Sequence, residues 1–73
     1  MLLVPVISSN LAAVGYDEIS GEMQVQFQNG RIYSYQNVPP DVYMGLVNAP
    51  SKGQYFGVMI RNQPGLYLPT RIL

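Results

Sequence analysis

The sequence predicts a small α+β domain, in which an antiparallel β-meander of three or four strands packs against two short C-terminal helices. Apolar and polar residues alternate over 22–28, with the two-residue period of a half-buried strand. Asn29-Gly30 then separates this run from a second apolar run, as in a β-hairpin. Beyond residue 40 the apolar residues take up helical spacing.

The first half of the chain supplies the strands. Residues 3–7 predict a strand at the edge of the sheet, because Pro5 cannot donate a backbone hydrogen bond. Two further candidates, 11–16 and 22–28, are separated by short polar turns, and 31–36 follows the Asn-Gly turn. Short connections of this kind predict an antiparallel meander.

The second half supplies the helices. The segment Asn37-Val38-Pro39-Pro40-Asp41 predicts a helix start, since proline suits the first helical position, and we expect this helix to end before Pro50. Ser51, with Gln54 three residues later, matches a capping box and predicts a second helix that ends near residue 62. Within that helix, the glycines at 53 and 57 lower helix propensity, and we expect a neighbouring backbone or a ligand to approach them closely.

Size and composition exclude several classes of protein. The hydrophobic core of a 73-residue chain supplies only about 3–5 kcal/mol of net stability unless disulfides, a metal or self-association add to it. The absence of cysteine and histidine leaves no disulfide and makes a zinc site improbable, so we expect no metal and no cofactor. Catalysis is also improbable without either residue as a base or nucleophile, and we expect a protein that is not an enzyme.

The charge balance points away from extended polyanions. The net charge is zero and only 11% of residues are charged, which argues against long DNA or RNA strands and against anionic membrane surfaces. The apolar residues 1–7 are too short to span a bilayer and lack the basic flank of a signal peptide. We therefore expect a cytoplasmic protein, and the absence of cysteine fits a reducing compartment.

Both ends of the chain are apolar. We divide the sequence into a domain at 1–62 and a C-terminal tail at 63–73, which we expect to dock on its own sheet or on another subunit. Residues 2–7 and 66–73 are the predicted contacts of a homo-oligomer, since self-association is a common remedy for a small core.

A series of short motifs then resembles a known family. In order along the chain, the motifs are Ser8-Ser9-Asn10, Val14-Gly15-Tyr16-Asp17, Val25-Gln26-Phe27-Gln28-Asn29-Gly30, Tyr33-Ser34-Tyr35, Val38-Pro39, Ala49-Pro50-Ser51-Lys52-Gly53-Gln54-Tyr55-Phe56 and Ile60-Arg61. Together they resemble the KTSC domain over about residues 4–62. That domain is named for the C-terminus of some lysyl-tRNA synthetases and also occurs as free-standing small proteins of bacteria and their phages. The resemblance implies a central Tyr-x-Tyr, here Tyr33-Ser34-Tyr35, and RNA binding has been suggested for the family.

The register of the hairpin leaves two interpretations open for the tyrosines. A two-residue Asn-Gly turn would place Tyr33 and Tyr35 beside Gln24, Gln26 and Gln28, as a platform for stacking a base and bonding its edge. A three-residue loop with a bulge would reverse the faces and turn both rings into the core, with their hydroxyls at the rim. We favour the buried rings.

Two further sets of residues are candidates for a ligand. Ser51-Lys52-Gly53 begins a helix, where backbone N–H groups attract anions, and with the tyrosines buried it becomes the better place for a ligand. Ordinary helix capping also explains it. Arg31 and Arg61 could clamp a phosphate or simply be solvated.

The hypothesis we favour from the sequence is a non-enzymatic binding module for a nucleotide or short RNA, such as a sponge for a small signalling nucleotide. The alternative is a protein-interaction or oligomerisation module that binds no nucleotide.

Overall fold

The computed structural model describes residues 1–63 and 65–73. It contains five strands and two short helices, the second of which continues into a π-helical turn. The strands are β1 (Val4–Pro5), β2 (Leu11–Asp17), β3 (Glu22–Phe27), β4 (Ile32–Tyr35) and β5 (Pro69–Arg71). The helices are α1 (Pro40–Asn48) and α2 (Lys52–Phe56), and the π-helical turn is Gly57–Arg61. None of the helices in these two ranges is long and apolar enough to cross a membrane.

The five strands form one antiparallel sheet in the order β1-β2-β3-β4-β5. This arrangement confirms the predicted α+β class with a meander and two short C-terminal helices. The sheet is larger than the three or four strands expected, because residues 69–71 of the tail pair with β4.

One face of the sheet packs against the helices and carries the core. Met23, Val25 and Tyr35 contribute from the strands, while Leu46 and Phe56 contribute from α1 and α2. All five side chains are 4% exposed or less. Burial of such side chains stabilises the fold by about 1.5–3 kcal/mol each, which makes this layer the main source of stability.

Each edge of the sheet carries a proline. The backbone N–H of Val6 donates to the carbonyl of Ala12, so the alternation of the antiparallel ladder turns the nitrogen of Pro5 away from β2. Pro69 occupies the other edge, in β5. Proline in an edge strand opposes the addition of another strand, so further growth of the sheet at either side is disfavoured.

The second helix begins as predicted and then widens. Ser51 is the N-cap of α2, and its hydroxyl oxygen accepts a hydrogen bond from the backbone N–H of Gln54 at 3.4 Å. From Gly57 onward the helix is π-helical, and the N–H of Asn62 donates to the carbonyl of Gly57 at 3.0 Å. The wider turn changes the direction in which Arg61 leaves the helix.

The glycines of the helices have different surroundings. A Cβ on Gly53 would lie 3.6 Å from the side chains of Ser8 and Asn10, which is an ordinary van der Waals distance, so the close approach of a backbone expected there is not observed. The same expectation is wrong for Gly57, which has open space around its Cβ position. The tightest helical glycine is Gly45, where a Cβ would overlap the hydroxyl of Tyr55.

Alanine substitutions at Gly57 and Gly45 should therefore have opposite effects on the free energy of unfolding. Gly57→Ala should raise it by about 0.5–1 kcal/mol, because alanine is the better helix former and meets no neighbour. Gly45→Ala should lower it by about 1–3 kcal/mol through overpacking against Tyr55. Urea denaturation followed by circular dichroism measures both, and destabilisation by Gly57→Ala would show that the π-helical turn requires glycine.

The opposite face of the sheet carries a polar network around Glu22. Its Oε2 accepts hydrogen bonds from Ser34 Oγ at 2.7 Å and from Gln24 Nε2 at 3.0 Å. The bonds from Gln24 and Ser34 hold the pKa of the Glu22 carboxyl below its usual value. Ser34 is only 3% exposed, so this network satisfies a buried hydroxyl as well.

The lowered pKa of Glu22 predicts a loss of stability in acid. The contribution is present above the carboxyl's unfolded pKa, about 4.3 for a free glutamate, and is lost over the acidic range in which the pH falls from that value through the lower folded pKa. The free energy of unfolding should fall more steeply across this range in the wild type than in Glu22→Gln. Asp41→Asn, which removes a carboxylate outside the network, is the control, and equal slopes for Glu22→Gln and wild type would contradict the prediction.

Candidate functional site

The hairpin between β3 and β4 closes through a three-residue loop, Gln28-Asn29-Gly30. Met23 pairs with Tyr35 and Val25 with Tyr33, which excludes the two-residue turn. Within the Asn29-Gly30 pair, only Gly30 has a positive φ, 89°. A two-residue type I′ turn would need positive φ at both residues. The two-residue turn was therefore the wrong interpretation, and the loop with a bulge is the observed one.

This register places both tyrosines on the helix-packed face. Tyr35 is 4% exposed and meets the ring of Phe56 edge-on, with 5.6 Å between centroids. Tyr33 is half-buried and meets Phe27 in the same manner at 5.7 Å. The exposed platform of tyrosines and glutamines does not exist, because Gln24 and Gln26 alternate onto the opposite face.

The loop is fastened to the turn before β2. The side-chain nitrogen of Gln28 donates to the carbonyls of Ser8 and Leu11, both at 3.1 Å. Its backbone N–H donates to the carbonyl of Asn10 at 2.9 Å. The hydroxyl of Ser8 in turn accepts from the N–H groups of Asn10 and Leu11. Two loops that are distant in sequence thus form one surface.

Arg61 extends from the π-helical turn over two aromatic rings. The carbon of its guanidinium lies 5.2 Å from the centroid of Phe56 and 5.6 Å from that of Phe27. A cation at this distance is attracted by the ring faces, which restricts its motion. The side chain is nevertheless exposed, so the guanidinium is oriented and still accessible to a ligand.

These elements enclose an open groove of about 510 Å³. It combines aromatic rings, side-chain amides and two cations. The lining residues are Asn10, Phe27, Gln28, Asn29, Arg31, Tyr33, Tyr35, Arg61 and Pro69. Four of the residues proposed from the sequence, namely Tyr33, Tyr35, Arg31 and Arg61, are therefore brought to one place.

The charges of the protein are segregated around this groove. Arg31 and Arg61 line it, and Arg71 in β5 pairs with Tyr33 of its wall. Among the residues that the structure describes, no acidic side chain lines it. Acidic side chains lie at the far end of the β2–β3 hairpin and in the first turn of α1. Desolvation raises the pKa of the Tyr16 hydroxyl there, and the negative charges of Glu18, Asp17 and Asp41 raise it further. The surface around the groove is therefore basic although the net charge of the chain is zero.

Burial raises the pKa of the Tyr35 hydroxyl above its ordinary value, and the nearby Arg61 offsets part of this effect. The hydroxyl is therefore neutral at physiological pH. It can donate a hydrogen bond to an acceptor on a ligand, and it adds no negative charge to the groove.

The helix start at Ser51-Lys52-Gly53 does not belong to the groove. Lys52 borders a separate crevice between β1 and α1, and its Nζ donates to the carbonyl of Ala49 at 3.1 Å. Ser51 caps α2, and Gly53 packs near the Ser8–Asn10 turn. Each has a structural role, and α2 itself is only five residues long.

Sequence reasoning missed several residues of the groove. The alternation over 22–28 predicts a half-buried strand for Phe27, but it does not indicate that the ring forms the surface beneath Arg61. Asn10, Asn29 and Pro69 were treated as residues of turns or of the tail. The three-residue alternative for the hairpin was the signal that could have found Asn29, because that register brings the loop to the face that carries the tyrosines.

The comparisons with known proteins agree on one family. The sequence pattern of the KTSC domain matches residues 7–63, most of the chain. The chain belongs to the KTSC domain family. This confirms the resemblance seen in the motifs, and the family is one of small domains without a known catalytic role.

Relatives of two kinds are similar to this chain. An uncharacterized protein of Stutzerimonas stutzeri is 36% identical over 63 residues, which cover 86% of this chain and 89% of that protein. A lysine–tRNA ligase of Nostoc punctiforme is 40% identical over 48 residues, which cover 66% of this chain and 9% of the ligase. The similarity to the ligase is thus confined to a small part of its length.

A solved structure has the same fold. The crystal structure of a KTSC domain protein from Yersinia pestis matches with a TM-score of 0.87 and 32% sequence identity. The match covers 99% of this chain and 97% of that one. The five-stranded arrangement, with its two helices, is therefore an arrangement that the family adopts.

Proposed function

We propose that this KTSC domain is a non-enzymatic, cytoplasmic binding module whose groove takes a compact nucleotide-type ligand, either a free nucleotide or the end of an RNA. Both sources present the same chemistry, a phosphate group next to a planar base. The carrying observation is that Arg31 and Arg61 line one groove together with the rings of Phe27 and Tyr33.

The composition of the groove suits each part of such a ligand. Guanidinium groups bind phosphate through charge-assisted hydrogen bonds, often two at a time. Aromatic rings and the flat guanidinium of Arg61 offer surfaces on which a base can stack. The absence of acidic side chains from the lining leaves the attraction for an anion unopposed.

The size of the groove favours a compact ligand over a long strand. About 510 Å³ lies within the range of about 300–1,000 Å³ typical of small-molecule sites. A protein that follows a long phosphate backbone needs an extended basic stripe, and this chain has only four basic residues. The relatives named lysine–tRNA ligases support RNA as one source of the ligand.

Calorimetry with 5′-mononucleotides and short RNAs tests this proposal through two matched substitutions. Arg61→Gln and Lys52→Gln each remove one positive charge, but only Arg61 lines the groove. Arg61→Gln should weaken binding about tenfold or more, because a charge-assisted hydrogen bond contributes about 1.5–3 kcal/mol. Lys52→Gln should leave the dissociation constant within about twofold of wild type, since long-range charge effects at the surface are screened.

The two substitutions also define failure. Equal weakening by both would mean that net charge, and not the groove, governs binding. Loss of binding in Lys52→Gln but not in Arg61→Gln would show that the ligand binds at the start of α2 and not in the groove. Absence of binding by every nucleotide and RNA, at protein concentrations of hundreds of micromolar, would refute the proposal. Tighter binding of RNAs than of mononucleotides would identify an RNA end as the source.

A second candidate function is a protein-interaction or self-association module, and the exposed apolar residues of the C-terminal segment favour it. Leu66 is 63% exposed, Leu68 71% and Leu73 66%. Apolar exposure is typical of interaction surfaces where it is contiguous, and these three leucines lie within eight residues of sequence. Two apolar side chains of the N-terminal segment 2–7, Leu2 and Ile7, are exposed as well.

Substitution of two of these leucines tests the second candidate without disturbing the fold. Leu66→Ser/Leu68→Ser should convert an oligomer into a monomer in light scattering, because the interface loses apolar area while the core keeps Tyr67, which is 8% exposed. Removing the whole tail would be less informative, since it would also remove β5 and Tyr67. A wild-type protein that is already monomeric at high concentration would contradict this candidate.

A further inference from the structure

We propose that Gln28 and Asn29 read the hydrogen-bonding edge of the ligand's base, so that the groove distinguishes one base from another. This inference rests on the proposed nucleotide-binding function and adds selectivity to it. It depends on the orientation of two side-chain amides at the rim of the groove, both of which are held by hydrogen bonds to the protein.

The orientation of Gln28 leaves its oxygen for a ligand. Its Nε2 carries two hydrogens, and Nε2 donates to the carbonyl oxygens of Ser8 and Leu11 at 3.1 Å each. Two acceptors at the nitrogen determine which end of the amide is which, because a flipped amide would place oxygen against oxygen. Gln28 therefore offers Oε1 as an acceptor.

The orientation of Asn29 leaves its nitrogen for a ligand. Its Oδ1 accepts a hydrogen bond from the backbone N–H of Arg31 at 3.0 Å. A flip would place the Nδ2 hydrogens against that N–H, so the oxygen must face Arg31. Asn29 therefore offers Nδ2 as a donor, and both side chains are exposed on the loop.

An acceptor and a donor are the two kinds of group that hydrogen-bond the edge of a nucleobase, and the loop offers one of each on adjacent residues. Each base carries a hydrogen-bond donor next to an acceptor, and asparagine and glutamine recognise such pairs. The sugar and phosphate carry no such planar edge. With a phosphate at Arg31 or Arg61 and a ring on the aromatic surface, the polar side chains left in the lining are those of Asn10, Gln28, Asn29 and Tyr35. Asn29 is the one among them that is hydrogen-bonded to the backbone of Arg31, so we assign the base edge to the loop.

Calorimetric titration with the four 5′-ribonucleoside monophosphates and with ribose 5-phosphate tests the inference in the wild-type protein. All five ligands carry the same phosphate, so differences among them report contacts to the base. The tightest and weakest nucleotide should differ by about fivefold or more, the effect expected of a hydrogen-bond pair that fits one base better than another. Ribose 5-phosphate should bind more weakly than every nucleotide.

Asn29→Asp provides the variant. The aspartate keeps an oxygen to accept from the N–H of Arg31, so the loop retains its hydrogen bond, while the donor becomes an acceptor. Its added charge should weaken all five ligands by a common factor. The inverted hydrogen bond should in addition change the ratios among the four nucleotides by about fivefold.

The outcomes separate this inference from the function on which it rests. Nucleotides that bind more tightly than ribose 5-phosphate but equally among themselves, with ratios unchanged in Asn29→Asp, would support nucleotide binding and overturn base reading. Equal binding of ribose 5-phosphate and the nucleotides would show a site for phosphate alone and overturn both. Unequal ratios that change in Asn29→Asp would support both.

Discussion

The conformation of one residue, Gly30, determines which face of the sheet carries the tyrosines of β4. Because this glycine takes positive φ and closes a three-residue loop, Tyr33 pairs with Val25, and the parity of all of β4 follows. With one residue fewer in the loop, both tyrosines would lie on the polar face beside Glu22. The register thus decides on which face the rings of Tyr33 and Tyr35 lie, and their contribution to the groove depends on it.

The aromatic layer then connects the core to the surface. Phe56 contacts Tyr35 within the core and the guanidinium of Arg61 outside it, while Phe27 links Arg61 to Tyr33. An arginine held against two rings loses less conformational entropy on binding than a freely moving one. The same aromatic rings that pack in or against the core therefore also orient the guanidinium of Arg61 at the surface.

The sequence predicts most of the fold because the signals are local. Pro40 and Ser51 mark helix starts through backbone chemistry that needs no tertiary context, and both helices begin beside them. The position of Arg61 could not be predicted in this way, since it depends on a π-helical turn that no local pattern announces. Lys52 carried the stronger local signal for anion binding, yet its ammonium group bonds a carbonyl and lies outside the groove.

Zero net charge is compatible with an anion site when the charges are separated in space. An exposed charge acts over about 8–10 Å at physiological salt, so a ligand in the groove responds mainly to Arg31, Arg61 and Arg71. The carboxylates around Tyr16 lie near the turn between β2 and β3, at the opposite end of these strands from the groove. Three arginines close together can attract a small anion, whereas a long polyanion requires basic residues along an extended surface, which a neutral chain with four basic residues lacks. This distribution, more than the net charge, favours a compact ligand.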